Sequence, residues 1–253
     1  MSGPGEPRLK LSVVIPSWHD AENLATLLPA LRKIEMSPEL IVVDASGDEA
    51  SEKIAISSGA AFIRCSSPNR GAQMNLGAMF AHGDVLIFQH ADTELTGAHL
   101  ASIETALSDR EIIGGAFFRK FDGRHPHLMW LEGIGRFLTQ RGGTLFGDQT
   151  VFVRREVFLR LHGFAQMPLM EDVEFSRRLR GAGKVAILVP PVRSSARRHL
   201  RRGAWRTSIQ NGIFLLLFKM GVSPHRLHRW YYRGRKNVDS TQMPTPLDSA
   251  KQS

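Results

Sequence analysis

The sequence predicts an α/β fold with a mainly parallel sheet that is covered by helices on both faces. Apolar runs such as LSVVIP, ELIVVDAS and VLIFQH alternate with helical patterns along the first half of the chain. Runs rich in Val, Ile and Leu are typical of strands buried on both faces, and their alternation with helices favours a parallel sheet. The chain has 253 residues and 42% hydrophobic content, which suits one large domain and is too short for several.

The elements of the first half follow in a regular order. The strand LSVVIP precedes a helical pattern over residues 22–34, and the strand ELIVVDAS precedes one over residues 49–58. The short strand AFIRC, a helix over residues 71–82 and the strand VLIFQH complete this half. The alternation predicts a Rossmann-like arrangement.

The second half is less regular. The Gly-rich stretches IIGGAFFRKF and GGTLFGDQTVFVRR predict an irregular antiparallel part beside the first half. A further helix begins near MEDVEFSRRLRGAG and closes on glycine, as helices prefer.

The positive charge of the chain is local. The formal charge is +9, but residues 193–236 carry twelve Lys and Arg and no Asp or Glu, so the rest of the chain sums to −3. Such a segment suits anionic lipid headgroups, nucleic acid or a phosphorylated substrate, and composition does not choose among them.

The chain has the features expected of a cytosolic protein. Cys65 is the single cysteine, which excludes an intrachain disulfide and a cysteine-built zinc site. The start MSGPGEPRLK lacks the apolar core of a secretory signal, and no run approaches the roughly 20 apolar residues of a membrane-spanning helix.

Polar residues follow three of the predicted strands, at residues 16–20, 44–47 and 90–93. In parallel sheets ligands bind beyond the carboxyl ends of the strands, so these residues are expected to face one crevice. Asp44 could accept hydrogen bonds from a base or ribose there, and it could equally form an Asx-type turn.

Two further segments have both a functional and a structural interpretation. In PNRGAQMNLG, Arg70 and the amide groups of a helix N-terminus could cradle a diphosphate, or the segment could be a capped surface helix. In FQHADT, Asp92 could hold Mg²⁺ or Mn²⁺ with His90 beside it, or Asp92 could be a turn residue or helix cap.

The adjacent acids Glu171 and Asp172 begin a predicted helix. Acids in a first helical turn often only complement the helix dipole. The pair could also supply a general base, with one carboxylate anchored by hydrogen bonds and the other directed into a cleft.

Taken in order, six motifs resemble those of family 2 glycosyltransferases, which have the GT-A nucleotide-diphospho-sugar transferase fold. The resemblance covers about residues 11–200 and rests on VVIPSWHDAENL, IVVDASGD, NRGAQMNLG, FQHADT, GDQTVFVRREVFLRLHGF and MEDVEFSRRL. The "HADT" form is most similar to a bacterial subgroup associated with radical-SAM and selenium-domain proteins or arsenosugar synthesis.

The resemblance implies a role for each matching position. Asp172 would be the general base, next to Glu171, and Asp92 would match the last acid of the Asp-X-Asp metal motif. The remaining residues would bind substrate: Pro16 and Asp44 at the base, Arg70 and Asn75 near the phosphates, His90 beside the metal, and Gly147, Asp148 and Gln149 on the acceptor side.

The sequence departs from the family pattern in informative places. His90 replaces the first acid of the metal motif, which leaves Asp92 as the single protein acid for the metal. Asp44 is followed by Ala45 where many members have a second aspartate. The Gln-X-X-Arg-Trp signature of processive synthases is absent, so a single transfer per acceptor is expected.

The resemblance and the composition together predict the domain boundaries. Residues 10–200 would form the GT-A domain, with a nucleotide-binding half at about 10–107 and an acceptor half at about 108–200. A basic amphipathic helical extension would occupy residues 201–237, between the domain and a disordered tail at 238–253, and residues 1–9 would form another disordered tail.

The predicted function is an inverting, metal-assisted transfer of a sugar from a nucleotide-diphosphate sugar to an acceptor hydroxyl. Mg²⁺ or Mn²⁺ is the expected cofactor, and a UDP-sugar is favoured as the commonest donor. The acceptor is left open, lipid-linked acceptors included. The extension could contact an anionic membrane at its inner face, or it could pack on the core or on a partner subunit, and no nucleic acid is expected. The alternative is a nonenzymatic lipid- or nucleic-acid-binding module with a degenerate site.

Overall fold

A seven-stranded sheet forms the centre of the protein. The computed structural model describes residues 8–66, 68–121, 133, 142–194 and 204–233. The strands in these ranges are β1 (Leu11–Ser17), β2 (Glu39–Asp44), β3 (Ala61–Arg64), β4 (Val85–Phe88), β5 (Ile112–Phe121), β6 (Val151–Arg154) and β7 (Lys184–Ser194). Their order across the sheet is β3-β2-β1-β4-β6-β5-β7.

Helices cover both faces of this sheet. They are α1 (Ala21–Arg32), α2 (Glu49–Ser57), α3 (Arg70–Phe80), α4 (Gly97–Leu107), α5 (Arg155–Arg160), α6 (Glu171–Ala182), α7 (Ala204–Lys219) and α8 (Pro224–Arg233). The buried residues of α1, α2 and α4 share one apolar cluster with the sheet, and those of α3, α5 and α6 share a second. The prediction of an α/β fold with both sheet faces covered is therefore confirmed.

The strand pairing places a crevice beside β1. The pairs β1–β2, β1–β4 and β2–β3 are parallel, whereas β6 runs antiparallel to both β4 and β5. The chain builds outward from β1 through β2 to β3, and then returns to place β4 on the other side of β1. Such a reversal of strand order opens a crevice at the carboxyl ends of the strands, where ligands of open α/β sheets bind.

Side chains of β1 alternate between the two apolar clusters. Val13 and Ile15 point into the cluster with α1, α2 and α4, and Val14 points into the other. All three are fully buried, and each such side chain stabilises the fold by about 1.5–3 kcal/mol. An apolar run such as residues 13–15 is therefore the expected sequence for this part of the sheet.

The structure corrects the second half of the prediction, because β6 is antiparallel to its neighbours as expected but β5 also pairs in parallel with a further strand. Residues 184–194 form β7, a strand that the sequence did not indicate because Pro190 and Pro191 interrupt it. Since proline cannot donate a ladder hydrogen bond, it is excluded from central strands but tolerated at a sheet edge. The strand β7 pairs in parallel with β5 and stands last in the strand order, which is consistent with that rule.

The remaining predictions about boundaries concern the ends of the chain. The predicted tails, residues 1–9 and 238–253, lie outside the described residues except for residues 8 and 9. The predicted extension, residues 201–237, contains α7 and α8. Among the described residues, no helix combines the length and the hydropathy needed to cross a membrane.

Candidate active site

Three strand ends meet at one edge of the sheet. Ser17, Asp44 and Gln89 lie at the ends of β1, β2 and β4, which run in parallel. The Oγ of Ser17 donates a hydrogen bond to Oδ1 of Asp44 at 2.9 Å. From α3, the buried Gln73 donates from Nε2 to the backbone oxygens of Ser17 and Val43, at 2.8 Å each. These bonds fix the edge of the crevice.

The carboxylate of Asp44 holds the turn that follows β2. It is buried, and its Oδ2 accepts hydrogen bonds from the backbone amides of Ser46 and Gly47 at 2.9 Å each. Gly47 has a φ of +70°, a conformation that favours glycine. The turn chemistry considered for Asp44 is therefore present. Contact of Asp44 and the half-buried Pro16 with a nucleotide base stays a prediction.

Arg70, His90 and Asp172 converge on Gly147, which begins a 3₁₀ turn. The amide of Gly147 donates to Oδ2 of Asp172 at 2.8 Å. A Cβ atom placed on Gly147 would lie 3.1 Å from Nε2 of His90, 3.5 Å from Oδ2 of Asp172 and 3.6 Å from Nη1 of Arg70. A pocket beside this cluster is lined by Arg70, Gly147 and Asp172 together with a largely apolar wall. The fold thus brings together four predicted site residues from four separate segments.

Glu171 is buried next to this cluster. Its Oε1 lies 3.7 Å from Nε of Arg70, and its side chain is 9% exposed whereas that of Arg70 is 45% exposed. Burial raises the pKa of the Glu171 carboxyl; the nearby Arg70 opposes this increase, and the Asp172 carboxylate adds to it. One acid of the pair is thus anchored against an arginine, while Asp172 is half-buried and directed at Gly147.

The turn that carries His90 and Asp92 is held by Gln89. This buried side chain donates from Nε2 to the backbone oxygens of Thr93 at 2.6 Å and His90 at 3.1 Å, and its Oε1 accepts from Thr150 Oγ1 at 2.8 Å. Sequence reasoning missed Gln89. The available signal was an amide residue at the last position of an otherwise apolar strand run.

Asp92 offers one half-buried carboxylate at this turn. Among the described residues, no group of three or more His, Cys, Asp or Glu side chains could hold a metal ion. Mg²⁺ and Mn²⁺ bound to nucleotides often take only one or two protein carboxylates and complete their coordination with phosphate oxygens and water. The single acid therefore fits a metal that binds together with a diphosphate, and does not fit a closed site made by protein alone.

Asn75 binds protein backbone instead of facing open space. Its Nδ2 donates to the backbone oxygen of Phe164, and its Oδ1 accepts from the amide of Phe164, both at 2.8 Å. Asn69, the N-cap residue of α3, also donates to the backbone oxygen of Met167 at 3.0 Å. Helix α3 thereby holds the loop that leads to Glu171, so the geometry favours a positioning role for Asn75.

The other two residues predicted on the acceptor side have partners inside the protein. Asp148 forms an ion pair with Arg119 of β5. The buried Gln149 accepts a hydrogen bond at Oε1 from the amide of Phe146 at 2.9 Å. These bonds fix the 3₁₀ turn that presents Gly147, and acceptor binding by Asp148 and Gln149 stays a prediction.

Three residues next to the segments that form the crevice have uncommon backbone conformations. His19 after β1, Thr150 before β6 and Met170 before Glu171 have φ values of +54°, +51° and +68°. A positive φ is energetically unfavourable for residues other than glycine. Such residues adopt it mainly where the surrounding structure enforces it, often at functional sites.

The sheet order, the crevice at the reversal and the helices on both faces define the chain as an α/β protein of the GT-A class. The family model described as "Glycosyl transferase family 2" matches residues 12–160, more than half of the chain, and the protein belongs to this family.

Similar proteins agree with this assignment. A 4,4'-diaponeurosporenoate glycosyltransferase from Staphylococcus haemolyticus (strain JCSC1435) is 32% identical over 102 residues, which are 38% of this chain and only 27% of that relative.

Two solved structures show the same fold at lower identity. The mannosyltransferase PcManGT from Pyrobaculum calidifontis, in complex with GDP-Man and Mn²⁺, has a TM-score of 0.64 and 16% identity over 89% of this chain and 70% of that chain. S. aureus TarS 1-349 in complex with UDP-GlcNAc has a TM-score of 0.60 and 17% identity over 75% of this chain and 59% of that chain.

Proposed function

We propose that this protein is an inverting glycosyltransferase that moves a sugar from a nucleotide-diphosphate sugar to an acceptor hydroxyl in a single transfer. The observation that carries the proposal is the convergence of Arg70, His90 and Asp172 around Gly147 at the crevice. Displacement of a diphosphate needs a base for the incoming hydroxyl and positive charge for the leaving group. Asp172 and Arg70 supply these two groups.

The reaction is a single displacement. Asp172 accepts the proton of the acceptor hydroxyl while the acceptor oxygen forms a bond to the anomeric carbon. The bond from that carbon to the diphosphate oxygen breaks on the opposite face, and its electron pair leaves with the diphosphate. The configuration at the carbon is therefore inverted. The hydrogen bond from the Gly147 amide holds the carboxylate of Asp172 in one orientation for this step.

Glu171 and Arg70 act as a pair in this proposal. Arg70 stands at the start of α3, where amide groups and the helix dipole also favour an anion. The buried carboxylate of Glu171 lies against Nε of Arg70 and orients the guanidinium toward the crevice. Arg70 then neutralises part of the charge on the departing diphosphate.

We propose a divalent cation, Mg²⁺ or Mn²⁺, as cofactor. Asp92 would hold it together with diphosphate oxygens, and the cation would supply further neutralisation of the leaving group. The Mn²⁺ in the complex of the Pyrobaculum enzyme supports this proposal. His90, two residues before Asp92, would flank the cation or hydrogen-bond the donor.

The donor is a nucleotide-activated sugar, and a UDP-sugar is favoured. UDP-GlcNAc and GDP-Man in the two structural neighbours support the class of donor. For the acceptor we propose a lipid-linked hydroxyl at the inner face of the cell membrane, where the enzyme would be peripheral. The concentration of Lys and Arg in residues 193–236 supports this location.

A thermal-shift screen tests the donor and metal proposals together. UDP-, GDP- and dTDP-sugars are added to the full chain with and without Mn²⁺ or Mg²⁺. A donor at about 100 times its Kd stabilises the native state by about 2.7 kcal/mol, which corresponds to roughly 5–10 °C for a domain of this size. We expect such a metal-dependent shift with one nucleotide, and we expect Asp92→Ala to lose it.

The exposed Glu94, two residues along the same turn, provides the matched control, since Glu94→Ala should shift as the wild type does. A shift that survives in Asp92→Ala would remove Asp92 as the metal ligand. No shift with any nucleotide sugar would contradict the enzyme proposal and favour a nonenzymatic module with a degenerate site.

A further inference from the structure

Helix α7 exposes an apolar stripe. Ile213 and Leu216 lie on α7, and Met220 directly follows its last residue and donates from its amide to the backbone oxygen of Leu216 at 2.9 Å. They are 51%, 60% and 71% exposed, and their spacing of three and four residues places them along one side. The opposite side is occupied by contacts within the α7–α8 hairpin, because Phe214 and Leu227 are buried. The ring of Phe214 meets that of Tyr231 edge to face at 5.8 Å.

The same hairpin carries exposed basic residues. Lys219 ends α7, and α8 exposes Arg226 and Arg229 together with Trp230, which is 49% exposed. The segment of residues 204–233 contains no Asp or Glu. The hairpin therefore combines an exposed apolar strip, a half-exposed indole and uncompensated positive charge.

The protein's own core does not cover the stripe. Among the described residues, neither of the two apolar core clusters includes a residue of α7 or α8. The alternative in which the GIFLLLF segment packs on the core is therefore not supported for Ile213, Leu216 and Met220.

We propose that the α7–α8 hairpin docks on the headgroup region of an anionic phospholipid bilayer. Apolar side chains would enter the acyl boundary, arginines would bind lipid phosphates, and Trp230 would lie at the interface between them. The inference deepens the proposed peripheral location and rests on it, but it does not depend on sugar transfer.

Two other occupants fit the surface less well. A second copy of the chain would bring two cationic hairpins together without an acid on either to pair with the arginines. A nucleic acid would use the arginines but would leave the apolar stripe in water, since phosphate contacts dominate its binding. A bilayer with anionic headgroups uses both features.

Vesicle flotation of the full chain tests the proposal. Vesicles of phosphatidylcholine alone are compared with vesicles that also contain phosphatidylglycerol. We expect binding to the anionic vesicles that weakens as salt is added. Two double variants test the hairpin, and each should lower the partition coefficient by roughly tenfold or more. One combines Leu216→Glu with Met220→Glu, and the other combines Arg226→Glu with Arg229→Glu.

Two exposed residues elsewhere serve as matched controls. Met79 on α3 is 74% exposed and Lys53 on α2 is 79% exposed, so Met79→Glu and Lys53→Glu repeat the chemical changes away from the hairpin. Both should bind vesicles as the wild type does. The donor-induced thermal shift, measured on every variant, should be unchanged. Loss of vesicle binding with the donor shift kept therefore reports on the hairpin and not on folding or the active site.

Several results would overturn the proposal. These are equal binding to neutral and anionic vesicles, or hairpin variants that bind as the wild type does. A dimer in sedimentation equilibrium that Leu216→Glu with Met220→Glu dissociates, without vesicle binding, would assign the stripe to a second copy. Salt-sensitive binding to random-sequence DNA without vesicle binding would assign the arginines to nucleic acid. Each of these leaves the glycosyltransferase proposal intact, because that proposal fails only in the donor screen.

Discussion

The carboxylate of Asp172 accepts a hydrogen bond from the backbone amide of Gly147. In Asp172→Asn, the oxygen of the introduced side-chain amide can accept the same bond, but the side chain has lost its basicity. We expect this variant to release nucleoside diphosphate about 10²–10⁴-fold more slowly, since general-base catalysis contributes that much. Its donor-induced thermal shift should be kept. Initial rates with the donor identified by the screen measure the effect.

Glu94→Gln is the matched control for this substitution, because Glu94 is an exposed acid on a nearby turn. Its rate should equal that of the wild type. An Asp172→Asn protein with the wild-type rate would show that another group accepts the proton, and the remaining carboxylate to examine would be Glu171.

Single residues differ in how far the sequence predicts their surroundings. Arg70, His90, Gly147 and Asp172 occupy motif positions, and the structure brings side-chain atoms of the other three within 4 Å of the Cβ position of Gly147. Asn75 also occupies a motif position, yet its amide binds the backbone of Phe164, 89 residues further along the chain. A motif indicates which residue type a position needs, but the partner of a buried amide depends on packing that no local pattern encodes.

At the scale of elements, α3 can lie close to the sheet because Gly77 faces it. A Cβ atom on Gly77 would lie 2.4 Å from Cγ1 of Val14 and 3.0 Å from Cγ2 of Val43, and both valines are fully buried. We expect Gly77→Ala to lower the free energy of unfolding by about 1–3 kcal/mol, the usual cost of overpacking a core. Urea denaturation measures it.

Gly181 in α6 is the matched control for Gly77, because its surroundings leave room for a side chain. A Cβ atom there would have no neighbour within 4 Å, so Gly181→Ala should stabilise the protein, by up to about 1 kcal/mol, through helix propensity alone. A Gly77→Ala protein that is as stable as the wild type, or more stable, would mean that close packing of α3 on β1 and β2 does not explain the need for glycine at position 77.

The strand β7 illustrates why some elements escape prediction. Its sequence KVAILVPPVRS contains an apolar run, but two prolines count against a strand in any position that must donate hydrogen bonds. The objection applies only to a strand with neighbours on both sides, and β7 ends the sheet order. Whether a strand lies at an edge is a property of the assembled sheet and not of its own residues.

For the whole molecule, the parallel half was predictable and the strand order of the other half was not. Along residues 11–64, β1 pairs with β2 and β2 with β3, each across one helix, and β4 returns to pair in parallel with β1, so alternation indicates the parallel pairing although not the place of β4. The strand β6 instead inserts antiparallel between β4 and β5, and β7 pairs with β5 from more than 60 residues away. These pairings depend on which edges remain open once the first half has folded.

His99 couples the stability of the whole protein to pH. Its Nδ1 accepts a hydrogen bond from the amide of Thr96 at 2.9 Å and lies 2.8 Å from Thr96 Oγ1, so the ring caps α4 in its neutral form. The ring also packs edge to face on Phe117 at 5.0 Å. Burial lowers the pKa of His99, although the carbonyl of Pro191 and the charge of Glu94 partly oppose this decrease.

A lowered pKa in the folded state means that the unfolded chain binds the proton more readily. The contribution of His99 is therefore fully present above its ordinary pKa, near 6.5, and is lost as the pH falls through the folded value. We expect the wild type to lose stability between about pH 7.5 and about pH 5.5, and His99→Gln to lose less, since Gln can keep the capping bond without titrating. Urea denaturation at both pH values measures the difference. An identical loss in His99→Gln would mean that protons bind elsewhere.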